Sequence, residues 1–207
     1  MIAATMYTAQ GAYADAARIL RTSCERWGIE LRERVIESAG TWQRTCNLKP
    51  AYVLECLRAW GEPVLWLDAD TEVMADPVLL REGAGVDFMA INCRNEPRFS
   101  RTGVLTPETL DTNGGVLWFA PTDAAISLVE AWHARATAEP DRGNDTHLNA
   151  AFNEDRRTDL RFRWVPLSYN RLDSVWPDVR PVINHRYGRG ALLRVKSRLR
   201  TAREVSR

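Results

Sequence analysis

The residues best suited to chemistry lie in the segment Trp66-Leu-Asp-Ala-Asp-Thr-Glu72. Asp68 and Asp70 follow an apolar run and are separated by one small residue. In an extended chain residues i and i+2 point to the same side, so both carboxylates would face one point. Two negative charges that close repel unless a cation stands between them. Hard carboxylate oxygens suit magnesium or manganese better than zinc or copper. The preceding run, Pro63-Val-Leu-Trp-Leu67, reads as a strand covered on both faces. The pair would then sit at the carboxyl end of a strand, where open α/β sheets place their ligands.

The rest of the chain must supply that sheet. Residues 2–8 (IAATMYT) form an apolar run suited to a buried strand. Between Tyr13 and Trp27, apolar residues recur at three- and four-residue spacings and predict a helix. Ile29, Leu31, Val35 and Ile36 suggest a second strand, and Glu37–Asn47 reads as a polar connection. A helix begins near Pro50, carries Tyr52, Val53, Cys56, Leu57 and Trp60 on one face, and ends at Gly61. Further buried strands are expected at Val86–Ile91 and Gly115–Phe119, and a helix at Thr122–Ala138. Strands alternating with helical crossovers predict a mostly parallel α/β sheet.

Composition narrows the class. With 12 Gly, 10 Pro and 4 Cys in 207 residues, collagen-like, disordered and disulfide-scaffold chains are excluded. No window approaches the roughly 20 uncharged apolar residues of a spanning helix, and MIAATMYTAQ lacks the basic start of a signal peptide. Cys24, Cys46, Cys56 and Cys93 form no CxxC pair and read as free thiols, so a cytoplasmic location is expected. The net charge of +1 conceals an asymmetry: from Arg186 onward eight basic residues face one acid, Glu204. One domain over residues 1–190 and a basic tail over 191–207 are therefore expected. Leu192, Val195 and Leu199 would give the tail an amphipathic helix for an anionic membrane surface or a nucleic acid.

Two chemistries share an Asp-x-Asp after an apolar strand. Haloacid-dehalogenase-type phosphohydrolases use the first aspartate as nucleophile in Asp-x-Asp-x-Thr/Val, but Glu72 breaks that pattern here. In glycosyl transfer from a nucleotide sugar, a metal bound by the pair neutralises the diphosphate leaving group. A third reading is a non-catalytic binding module that acts through the basic tail.

Four segments, in order, bear on that choice. They are Lys49-Pro50 followed by a helix and Val64-Leu-Trp-Leu-Asp-Ala-Asp-Thr71; Asn113-Gly-Gly-Val-Leu-Trp-Phe119; Asn144-Asp-Thr-His-Leu-Asn149; and His185-Arg-Tyr-Gly188. Together, over roughly residues 2–190, they resemble the small glycogenin-like and related nucleotide-diphospho-sugar transferases of the GT-A fold. The resemblance implies an α/β/α sandwich with a Rossmann-like central sheet. It also implies a manganese- or magnesium-dependent transferase using a UDP-sugar with retention. The acceptor hydroxyl, on a glycan, lipid-linked sugar, small molecule or nucleic acid, is left open. The family's Asp-Gln pair is represented here by Asn144 and Asp145.

Site roles follow as expectations. The resemblance implies Asp68, Asp70 and His185 as metal ligands, with Asp68 also available to the donor. Lys49, at a helix start, would reach the donor's phosphates or sugar. Thr8 and Tyr13, around the first strand's end, would hold base or ribose. Gly114 and Gly115 would let a ligand approach the backbone, and Asn113 would bond sugar hydroxyls. Asp145 is the carboxylate for the donor sugar or reacting face. His147 is a further lining candidate and His133 is assigned to structure. Trp42 and Trp176 are candidates for stacking on a sugar or base, whereas Trp66 and Trp118 are assigned to the core.

Overall fold

The computed structural model describes residues 1–93 and 108–185. In chain order the elements are β1 (Ile2–Thr8), α1 (Ala12–Arg26), β2 (Leu31–Ile36), α2 (Trp42–Cys46), α3 (Lys49–Trp60) and β3 (Val64–Leu67). Next come β4 (Thr71–Val73), α4 (Val78–Arg81), β5 (Phe88–Ile91), β6 (Val116–Phe119), α5 (Asp123–Ala138) and α6 (Asn144–Ala150). A π-helical turn continues α6 to Asp155, and β7 (Phe162–Val165), β8 (Arg171–Leu172) and β9 (Ile183–His185) follow. The central sheet runs β2-β1-β3-β6-β5-β7, and only β6 is antiparallel to its neighbours. A second sheet, β4-β9-β8, lies beyond the end of β3. This is the expected mostly parallel α/β architecture.

The uninterrupted apolar runs are explained by cover on both faces. Alternate residues of a strand point opposite ways. Val64 and Trp66 pack with Tyr52, Leu57 and Trp132 from α3 and α5. Leu65 and Leu67 pack instead with Leu20 and Cys24 of α1 and with Val73 and Ile183 of the small sheet. Fully burying one such side chain stabilises by roughly 1.5–3 kcal/mol.

Several expectations are corrected locally. The polar connection Glu37–Asn47 contains α2, nucleated where Thr41 Oγ1 accepts from Arg44 N (3.2 Å). The helix expected from Thr122 has that threonine as its cap, accepting from Ala125 N (3.3 Å). Asp68 and Asp70 are not in extended chain. They occupy a β-turn in which Thr71 N donates to Asp68 O (2.9 Å). That turn carries the chain out of the central sheet and into β4. All four cysteines are free thiols. The tail over 191–207, the 190 boundary and Arg186-Tyr-Gly188 of the last motif lie outside the described residues. Among the described residues no helix is long and apolar enough to cross a membrane.

Candidate active site

A cavity of about 890 Å³ opens at the carboxyl ends of β1, β2 and β3. Its walls include Thr8 and Tyr13, Trp42 and Cys46 of α2, Asn113 before β6, and Asn144 and Asp145 at the start of α6. Two asparagines hold the α2 and α6 walls together. Asn47 Nδ2 donates to the carbonyls of Pro140 (2.8 Å) and Arg142 (3.0 Å), and Asn144 Nδ2 donates to Cys46 O (3.2 Å).

Asp68, Asp70 and His185 meet in this cavity, with one ligand atom of each within 4.8 Å of the others. Two features of the fold bring them together. The β3–β4 turn aims both aspartates the same way, and the antiparallel pairing of β4 with β9 sets His185 opposite Thr71. Nε2 of His185 donates to Asp70 Oδ1 (3.0 Å) and lies 3.8 Å from Asp68 Oδ2. Asp70 and His185 are buried, at 7% and 8% exposure. Burial alone would lower the imidazole pKa, but Asp70, and then Asp68, outweigh it and hold it above the usual 6.5.

Lys49 is not solvated. At 4% exposure, its Nζ donates to Asp68 Oδ1 (2.7 Å) and to Gly114 O (3.0 Å), and it lies 5.1 Å from the centroid of the Trp66 ring. Trp66 Nε1 donates to the same Asp68 oxygen (2.8 Å). Asp68 Oδ1 is therefore committed to the protein, and Oδ2 is the oxygen turned toward Asp70 and His185. Trp66, assigned to the core from its apolar strand, is both core and orienting group. The signal was present, because Trp66 lies on the strand two residues before Asp68, which begins the turn that follows it.

Both glycines also make room for the protein's own groups. Gly114 turns the chain at φ 70° and presents its carbonyl to Lys49. A Cβ on Gly115 would stand 2.6 Å from His185 Nδ1, so the imidazole occupies the space a side chain would need. Asn113 Oδ1 accepts from Gly115 N (3.1 Å), while its Nδ2 is buried without a hydrogen-bond partner. Asp145 Oδ1 accepts from Thr146 N (2.9 Å).

Tyr13 OH accepts from Trp42 Nε1 (3.1 Å) at the cavity wall. Burial, against the lowering effect of that bond, pushes its pKa up to about 12, so the phenol stays neutral. Burial likewise pushes the Cys46 thiol up to about 12. Trp42 is 46% exposed, so its ring remains open to a ligand. Trp176 is buried in the core under the small sheet, which removes it as a stacking platform. His147 is buried too and bonds Glu139 O through Nε2 (2.9 Å), away from the cavity lining. Asn170, in the connection between β7 and β8, had no motif to announce it, yet its Nδ2 donates to Asn113 Oδ1.

The family profile described as nucleotide-diphospho-sugar transferase matches residues 33–185, well over half of the chain. The protein belongs to this family. A crystal structure of a glycosyltransferase involved in the glycosylation of the major capsid of PBCV-1 aligns with a TM-score of 0.64. That alignment covers 89% of this chain and 93% of the other at 12% sequence identity, a likeness of fold. No curated protein matches the chain. Family membership makes the protein a glycosyltransferase that draws on a nucleotide-sugar donor, and sets aside the phosphohydrolase reading.

Proposed function

We propose that the protein transfers a sugar from a UDP-sugar to an acceptor hydroxyl, with retention and with the help of Mn2+ or Mg2+. The observation that carries this reading is the convergence of Asp68, Asp70 and His185 in one cavity at the sheet's carboxyl edge. Two carboxylates and an imidazole are a donor set that manganese accepts readily, and magnesium through its oxygens. These three residues would hold the ion. It would supply positive charge against the diphosphate as the glycosidic bond breaks.

The protein's own residues have distinct tasks in this reading. Lys49 and Trp66 fix Asp68 through Oδ1 and keep Oδ2 turned to the site. Thr8 and Tyr13 hold the nucleoside, the neutral Tyr13 hydroxyl as a hydrogen-bond partner and not as a base. Asn113, in the cavity wall, is the side chain for a sugar hydroxyl. Asp145 faces the donor sugar from the start of α6. Retention removes the demand for a strong base on the acceptor, since the departing diphosphate can take its proton. Uridine and retention are supported by the family resemblance of the motifs, and the ion by the ligand geometry.

The cavity lining includes Glu37, Asp68, Asp70 and Asp145, while its lysine, Lys49, is already paired. A diphosphate should therefore bind weakly without a cation. UDP with Mn2+ at about 100 times its Kd stabilises by about 2.7 kcal/mol, which raises the Tm by roughly 5–10 °C for a chain of this size. UDP without Mn2+ should give much less. A thermal-shift panel of UDP, GDP, ADP and CDP, each with and without Mn2+, decides both points. No shift with any nucleotide would reject the donor site.

Affinity for Mn2+ should also depend on pH. His185 must lose its proton to bind an ion, so each ion displaces a proton and affinity rises with pH through the raised value, above 6.5. In the ion-free protein the sign is opposite. There the His185 pairing adds stability that is present below 6.5 and lost as pH climbs through the raised value. Calorimetric titration with Mn2+ across this range checks the slope, and an affinity independent of pH would remove His185 from the ligand set.

A further inference from the structure

Asn170 lies in the turn between β7 and β8 and is fully buried, at 0% exposure. Its Nδ2 donates to Asn113 Oδ1, which fixes the direction in which the amide faces. Its Oδ1 is left buried with no hydrogen-bond partner. His185 shows the complementary condition. Nε2 is turned to Asp70 and Asp68, and Nδ1 is buried with no partner.

These two orphaned atoms face the same strip of backbone. Asn170 Oδ1 and His185 Nδ1 stand 2.9 and 2.6 Å from the point where a Cβ on Gly115 would be. Real Cβ atoms do not approach other atoms that closely, so any residue larger than glycine would push on both groups. Buried polar groups are costly to leave unpaired, and low dielectric raises that cost. A neutral imidazole that gives its Nε2 lone pair to a cation carries its proton on Nδ1, and such ligands characteristically donate that proton to a second partner. Asn170 offers an acceptor of the right kind on the right side of the ring.

We propose that Asn170 is a positioning residue for His185. When Nε2 binds a cation, Nδ1–H donates to Asn170 Oδ1, and the side-chain-free Gly115 leaves the space in which the two meet. The amide thereby sets the tautomer and the tilt of the imidazole. Through its other end it ties the cation site to Asn113, the residue offered to the donor sugar. This inference rests on the proposed cation site and adds to it the group that orients its imidazole.

The test is Mn2+ binding to the full chain, read as free ion by electron paramagnetic resonance with neither donor nor acceptor present. Asn170→Leu, close in volume but without an acceptor, should weaken binding about 10- to 100-fold, the usual loss when such a partner is removed. Asn170→Asp keeps an acceptor oxygen but loses the donation to Asn113 Oδ1, and should weaken binding clearly less than Asn170→Leu. Gly115→Ala should weaken binding by displacing the ring. Wild-type affinity in Asn170→Leu overturns the proposal. Equal weakening by the Leu and Asp substitutions also overturns it, because a packing role alone predicts that result. If Asn170→Leu does not fold, the 1H and 15N spectra of His185 in the wild type with Zn2+, a diamagnetic ion that binds imidazole nitrogen, decide. A hydrogen-bonded, slowly exchanging Nδ1–H supports the proposal, and an Nδ1–H that carries no hydrogen bond refutes it. Failure of the wild type itself to bind Mn2+ rejects the cation site and this inference together, whereas normal wild-type binding with insensitive variants rejects the inference alone.

Discussion

Asp70→Asn should lower Mn2+ affinity by at least about 100-fold, because even an outer partner of a ligand is worth 10- to 100-fold. The substitution keeps the size of the side chain and removes its charge. Asp70 is the closer of the two carboxylates to the imidazole, and it is nearly buried, so solvent would not compensate for the loss. Sugar transfer at a fixed, subsaturating Mn2+ concentration should fall in parallel. The ion-free fold should survive. Losing the attraction to His185 is offset by losing the repulsion from Asp68, so the Tm without Mn2+ stays near that of the wild type. The His185 pKa should drop back toward 6.5, since Asp70 is the largest influence holding it up. Calorimetry with Mn2+, a donor-hydrolysis assay and a thermal melt on one preparation check all of this. Unchanged Mn2+ affinity together with unchanged turnover would take Asp70 out of the site.

Lys49→Met should act on the fold as well as on the site. The methionine fills similar volume but leaves Asp68 Oδ1 and Gly114 O without their ammonium partner. Removing one member of a buried ion pair costs about 3–5 kcal/mol. The Asp68 side chain keeps 24% of its surface in water, which places the expected loss near about 3 kcal/mol at the low end of that range. For a chain of this length that lowers the Tm by roughly 6–12 °C. Asp68 would also be held by Trp66 alone, so Mn2+ binding should weaken at the same time. The double variant Lys49→Met/Asp68→Asn should regain part of the stability, because no carboxylate is then left unpaired, but none of the ion affinity. Denaturant unfolding checks the first part and Mn2+ titration the second. If Lys49→Met were as stable as the wild type, the buried pair would not be holding the turn in place.

Much of the fold was legible because its strands are short apolar runs with helices between them. Residues 2–8 read directly as β1, and the Val64–Leu67 run as β3. The reversal of β6 was not legible. Val-Leu-Trp-Phe is buried on both faces, and a strand so covered has the same composition whichever way it runs. Helix α2 was hidden because five residues carry too little periodicity, and the signal that makes it is a threonine cap.

The site shows a similar division. Asp68 and Asp70 stand out by type and spacing, but the chain there is a turn and not a strand. Within that turn the two carboxylates still converge with His185, with ligand atoms within 4.8 Å of one another. The burial of Lys49 could not be read from a residue that is nearly always exposed. Its pairing with Asp68 spans 19 residues and depends on how α3 packs against β3. Asn170 bonds Asn113 across 57 residues, and nothing local marks it. Contacts of that kind arise from topology, which short motifs do not encode.

The three acidic and imidazole groups do not belong to one layer. Asp68 and Asp70 sit where the chain leaves the large sheet, and His185 hangs from β9 of the small one, 115 residues beyond Asp70. An ion held by all three would be a cross-link that staples the minor sheet onto the major one. Fraying of β9 and escape of that ion would then be a single event. With such an ion bound, β9 should stay paired with β4 for as long as the ion remains.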